Sequence, residues 1–252
     1  MTRSPAAHAG LGRRRSRRWA RVPGENDPVD PEAERATAFR RARHRLTALA
    51  PNAVRAPGDF ERISLPASDG DVLRDLLLAE RASFVIEIGL AYGSSALAIA
   101  EALVPPRIPD ATHVIIDAFQ DHFDNIGWDT LRETGLDAFC SLYRERSQLV
   151  LPRLITEGFV ADAAFVDGSH IFHNVFVDLA FLRELVRPGG LIILDDCHWP
   201  SVDTAARYFE LNTGWQPIPV PPKTRLRGYR VPDPPFDPAF QDFTPFECRP
   251  TN

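Results

Sequence analysis

Gly89, Gly93 and the pair Ser94-Ser95 follow the apolar run Val85-Ile86-Glu87-Ile88 and precede a stretch rich in Ala and Leu. Glycine between a buried strand and a helix lets the chain turn tightly and bring the first helical amides close to a ligand. The dinucleotide pattern Gly-x-Gly-x-x-Gly is not met, because Ala91 stands at its second glycine, so a nucleoside fits better than a pyrophosphate. Glu87, near the end of its run, offers a carboxylate to an ammonium group. Asp117, ending the run His113-Val114-Ile115-Ile116, is placed to accept hydrogen bonds from ribose hydroxyls. Either acid alone could equally cap a loop or a helix.

Asp167 and Asp195-Asp196 end two further apolar runs, 163–166 and 191–194. In a parallel sheet such ends open into one crevice, and three convergent carboxylates suit Mg²⁺ or Mn²⁺. The alternative is that Asp167 contacts the ligand or turns its loop while Asp195 and Asp196 cap the next helix. His170 and His198 sit just beyond these acids, where either could take a proton from a hydroxyl. His173 reads as the first turn of a helix and Cys197 as a small packing residue. S-Adenosylmethionine carries both the ammonium group and the ribose that Glu87 and Asp117 suit.

These side chains need a frame, and the hydrophobic pattern supplies it. Short β-rich runs at 83–88, 113–117, 142–145, 163–167 and 191–195 alternate with helical stretches at 94–103, 147–157, 173–186 and 201–212, the alternation of an α/β fold with a parallel sheet. Pro188-Gly189-Gly190 stops one of those helices. Residues 216–252 contain ten prolines, which excludes long central strands and helices there. Segments 215–220 and 224–231 could still pair antiparallel at the sheet edge. We expect a basic arm over 1–30 without fixed structure, a segment over 31–59 whose helix, about 32–49, is ended by Pro51, a catalytic domain over 60–231, and an extended tail over 232–252 that packs loosely or not at all.

At 252 residues and 44% hydrophobic the chain can bury one substantial core. Net charge is -5, yet the first 21 residues hold seven arginines and no acid, leaving 22 basic against 34 acidic residues. The arginine arm is therefore a separate object, and the acidic remainder carries no nucleic-acid footprint. Three widely spaced cysteines suggest neither a disulfide framework nor a thiolate zinc site. No run of about 20 apolar residues is present for a membrane span, and a cytoplasmic location is the expectation.

The runs Val85-Ile86-Glu87-Ile88-Gly89-Leu90-Ala91-Tyr92-Gly93-Ser94-Ser95, Phe165-Val166-Asp167-Gly168-Ser169-His170 and Arg187-Pro188-Gly189-Gly190-Leu191-Ile192-Ile193-Leu194-Asp195-Asp196 resemble class I S-adenosylmethionine-dependent methyltransferases, and among them bacterial small-molecule O-methyltransferases. The resemblance covers about residues 70–231. It implies a Rossmann-like, doubly wound sheet of seven strands, mostly parallel with an antiparallel final strand. It also implies that Glu87, Gly89, Gly93 and Ser94 line the methionine and ribose part of the donor, that Asp117 holds the ribose, and that Ser147 approaches the adenine. Metal-dependent sugar O-methyltransferases use a similar Asp plus Asp-Asp set, which implies Asp167, Asp195 and Asp196 as ligands of Mg²⁺ or Mn²⁺. Ala91 and the long, proline-bearing stretch from Gly89 to Asp117 depart from the common pattern.

The expected function is methyl transfer from S-adenosylmethionine to a small-molecule hydroxyl, with Asp167, His170 and His198 as the catalytic candidates. A nicotinamide-dependent oxidoreductase on a similar sheet and a methyltransferase-like binding protein without turnover stay open, as does self-association. The acceptor is not legible. Its pocket would draw on the N-terminal helix, the loop around 121–129 and the segment after Pro200, where Phe123, Trp128 and Trp199 are either lining or packing residues.

Overall fold

The computed structural model describes residues 31–53, 58–103 and 111–245. The expected basic arm, the Pro105-Pro106 and Pro109 loop and Cys248 lie outside them. The helices are α1 (Pro31–Ala53), α2 (Asp59–Ile63), α3 (Ala67–Glu80), α4 (Ser94–Leu103), α5 (Ile126–Glu133), α6 (Ser147–Thr156), α7 (Phe172–Leu185) and α8 (Pro200–Asn212). The strands are β1 (Phe84–Ile88), β2 (Thr112–Ile116), β3 (Cys140–Tyr143), β4 (Ala161–Val166), β5 (Val186–Leu194), β6 (Gln216–Ile218) and β7 (Arg227–Arg230).

The seven strands form one sheet in the order β3-β2-β1-β4-β5-β7-β6. Strands β1 to β5 pair in parallel, and β7 runs antiparallel to both β5 and β6. Buried residues cover both faces. Ile86, Ile88, Ile192 and Leu194 pack with α6, α7 and α8 on one side, and Val85, Phe165 and Ile193 pack with α3 and α4 on the other. Burial on both faces is why these strands read as near-continuous apolar runs.

Several elements differ from the pattern-based expectation. α7 ends at Leu185 and β5 starts at Val186, so Pro188-Gly189-Gly190 lies inside the strand instead of stopping the helix. Val186 pairs with Ala161 and Leu191 with Ala163, which makes residues 187–190 a bulge, with Gly189 at φ 73°. β3 begins two residues before the expected run, and α5 forms within the stretch read as a loop. The helix expected to end at Pro51 runs on to Ala53.

The tail is extended but not loose. Thr244 N donates to Asn212 Oδ1 at 2.7 Å, and Asn212 Nδ2 donates to Thr244 O at 3.1 Å, tying residues near 244 to the end of α8. A side-chain amide that serves a backbone donor and acceptor together mimics a strand partner, which no periodicity announces.

Candidate active site

All five parallel strands end on one side of the sheet, and a cavity of about 740 Å³ opens there, within the roughly 300–1,000 Å³ range of small-molecule sites. Its walls include Gly89, Ser94, Asp117, Ser147, Asp167, His170 and Asp196, with Arg62, Phe119 and Phe123 closing it from outside.

The glycine loop is built by close approach. Gly89 has φ 96°, and a Cβ there would lie 2.1 Å from the carbonyl oxygen of Asp167. Only glycine lets the ends of β1 and β4 come this near. Gly93, at φ 86°, sits against Gly127 and does not line the cavity. Ala91 holds φ 44°, left-handed backbone that a glycine would adopt more readily, and its carbonyl accepts from Gln120 Nε2 at 2.9 Å.

Asp117 closes this loop. Its Oδ2 accepts from Leu90 N and Ala91 N, both at 3.0 Å, and from Gln120 Nε2 at 2.8 Å, while Oδ1 accepts from Phe119 N at 2.7 Å. Each carboxylate oxygen offers about two acceptor positions, so Oδ1, with one donor, keeps a second for a ligand hydroxyl.

Glu87 is placed otherwise than the sequence suggests. It is fully buried and outside the cavity wall. Strand alternation turns it with Val85 toward α4, where Ser95 Oγ donates to Oε1 at 2.5 Å and His113 Nε2 lies 2.8 Å from Oε2. Burial would lower the His113 pKa, but the Cys140 sulfur 3.5 Å from Nδ1 and the Glu87 carboxylate outweigh it and raise it to about 10. The role of Glu87 is thus to anchor the first turn of α4.

On the same cavity wall, ligand atoms of Asp167, His170 and Asp196 lie within 4.8 Å of one another. His170 Nε2 is 3.0 Å from Asp196 Oδ2 and 4.0 Å from Asp167 Oδ1. Asp196 itself stands at φ 55°, which re-aims its side chain after the end of β5. His198 Nδ1 is 3.6 Å from Asp196 Oδ1, but the ring is more than half exposed, packs on Trp199 and stays out of the cavity wall. Trp128 packs toward α4 and Phe139.

The three-aspartate set expected for a divalent cation is not assembled. Asp195 turns out of the cavity, with Oδ1 accepting from Asp196 N at 2.7 Å and Oδ2 from Arg225 Nη2 at 2.5 Å. Arg225 Nη1 also lies 3.6 Å from Asp196 Oδ1. Burial, and then the charges of Asp195 and Asp196, push the Asp167 carboxyl well above the usual range. Burial also raises Asp195, against the pull of Arg225. For Asp196 burial acts the same way, but the His170 hydrogen bond and the Arg225 charge hold it below the usual range.

Arg225 was not among the residues singled out from the sequence. The signal lay in the strand pairing: Leu194 stands opposite Arg227 in the antiparallel β5/β7 ladder, and that register continued two residues puts Arg225 beside Asp196. Arg62 at the end of α2, and Ser64 and Leu65 between α2 and α3, also line the cavity without any sequence pattern to mark them.

Comparison with known proteins finds similar sequences and folds. A family model described as a methyltransferase domain matches residues 86–197. A protein of Arabidopsis thaliana, named provisionally as a caffeoyl-CoA O-methyltransferase, is 26% identical over 163 residues, 65% of this chain and 67% of that protein. Among solved structures, the Bacillus cereus O-methyltransferase in complex with SAH superposes with a TM-score of 0.58 at 17% identity, over 77% of this chain and 90% of that one. The O-methyltransferase TomG of Streptomyces achromogenes, solved with SAM, gives a TM-score of 0.58 at 21% identity, over 77% and 89%.

Proposed function

We propose that this chain, an S-adenosylmethionine-dependent methyltransferase, O-methylates a small-molecule hydroxyl held between the glycine loop and His170. The observation that carries the reading is continuity. One cavity is lined both by Asp117 and the Gly89 turn and by the Asp167, His170 and Asp196 cluster.

The donor supplies an electrophilic methyl group on a sulfonium, which leaves as a neutral thioether when an oxygen attacks in line. The chain's own part is to bind, align and deprotonate. Asp117 Oδ1 accepts from a ribose hydroxyl, and Ser94 and Ser147 bound the two sides of the nucleoside. His170, aimed by Asp196, takes the acceptor's proton as the O–CH₃ bond forms.

Transfer of labelled methyl from S-adenosylmethionine to a panel of phenolic and sugar hydroxyls tests this. His170→Gln should lower turnover by about 10²-fold or more, the usual worth of a positioned base, while affinity for S-adenosylhomocysteine stays within about threefold, since the donor end is untouched. Equal turnover in the two proteins would remove His170 from the reaction.

A further inference from the structure

We propose that Arg225 supplies the cation of the acid cluster from within the chain, holding Asp195 and Asp196 with a guanidinium where a divalent metal would otherwise be needed. The inference concerns the site of the proposed methyl transfer but does not depend on which acceptor is used.

Three carboxylates at one crevice repel unless a cation or hydrogen-bond donors stand among them. Here a cation does. Arg225 Nη2 lies on Asp195 Oδ2 at 2.5 Å and Nη1 3.6 Å from Asp196 Oδ1, so the two arms of one guanidinium reach both neighbours. A planar fork of donors matches carboxylates in a way an ammonium does not, and it stays protonated at any working pH.

The loop that carries it is fastened on both sides. Arg225 N donates to Asp69 Oδ2 at 3.2 Å in the first turn of α3, and Leu226 N donates to Thr224 Oγ1 at 3.1 Å. Two residues on, Arg227 is in register with Leu194 and paired through its side chain with Asp203. The guanidinium is therefore carried by a loop held to α3 on one side and leading into β7 on the other.

Its presence changes what the cluster can accept. A divalent ion bound by Asp167, His170 and Asp196 would share Asp196 with a fixed positive charge, and it would lack Asp195, both of whose oxygens are already engaged. Arg225 also holds the oxygen of Asp196 that does not face His170, which leaves Oδ2 aimed at the imidazole. It acts through Asp196 as a positioning residue.

Mn²⁺ titration of the full chain, read by loss of the free aqua-ion's paramagnetic resonance signal, tests this without turnover. The wild-type protein should bind Mn²⁺ more weakly than about 100 µM, and Arg225→Met, which keeps the stem and removes the charge, should bind about tenfold more tightly. Arg225→Lys, with the charge restored, should return toward wild type. Wild-type binding tighter than that limit, or Arg225→Met binding no more tightly than wild type, overturns the proposal. Should Arg225→Met fail to fold, the wild-type affinity decides alone. Tight Mn²⁺ binding would leave the methyl-transfer reading standing with a metal in it, whereas absence of methyl transfer would leave the Mn²⁺ result unchanged.

Discussion

At the scale of single residues, the donor loop contrasts one glycine that must be glycine with one alanine that need not be alanine. A Cβ on Gly89 would overlap the Asp167 carbonyl at 2.1 Å, backbone that cannot swing aside. Gly89→Ala should therefore destabilise the fold by about 3 kcal/mol or more, combining overlap with left-handed strain. Ala91→Gly relieves left-handed backbone at a small entropic cost in the unfolded chain, so it should change stability by no more than about 1 kcal/mol, on the stabilising side. Urea unfolding of both variants checks the pair; an Ala91→Gly loss as large as that of Gly89→Ala would contradict the loop geometry. That Gly89, Asp117, Asp167 and Asp196 would sit around one crevice was legible because each follows the end of a parallel strand. Glu87 was misplaced because strand alternation, not proximity to the turn, decides which face a side chain takes. Asp195 was misread for a different reason: its partner lies 30 residues away in the loop before β7, a strand whose register no local pattern encodes.

Among the elements, α6 and α7 meet through a buried acid that affects how stability responds to pH. Asp178 on α7 accepts from Gln148 Nε2 on α6 at 3.1 Å. Burial raises its pKa from 3.8 to about 6, against the hydrogen bonds from Ser147 and Gln148. Between those two values the folded protein holds a proton that the unfolded chain has released, so stability falls as pH rises through about 6. Asp178→Asn removes this cost and should be more stable than wild type at pH 7.5 by about 1–3 kcal/mol, with the advantage gone near pH 4. Denaturant midpoints at the two pH values measure it, and an advantage larger at pH 4 would show the sign to be wrong. The same helices were legible from periodicity because each buries one apolar face. The β5 bulge was not, since Pro188-Gly189-Gly190 serves equally well as a helix stop and as a strand irregularity, and only pairing with Ala161 and Ala163 tells them apart.

Across the whole molecule, the sheet, the cavity and the N-terminal helix form one unit. Arg43 of α1 is buried and reaches Glu101 Oε1 at 2.9 Å, Asp71 Oδ1 at 2.7 Å and Ala67 O at 3.0 Å, which docks α1 on α3 and α4 behind the donor loop. A buried arginine with partners on both helices is costly to break. Nothing in its sequence surroundings separates it from the exposed arginines nearby, and for that reason the helix read as a separate segment. Among the described residues no helix is long and apolar enough to cross a membrane. The central claim is that this assembled cavity binds the methyl donor through Asp117. Calorimetric titration of the full chain with S-adenosylhomocysteine, beside Asp117→Ala shown by circular dichroism to be folded, tests it most directly. Binding by wild type and an affinity at least about tenfold weaker in Asp117→Ala are predicted, because a ligand acceptor and the loop's closing bonds are lost together. No heat of binding in the wild type, or equal affinity in the folded variant, would contradict it.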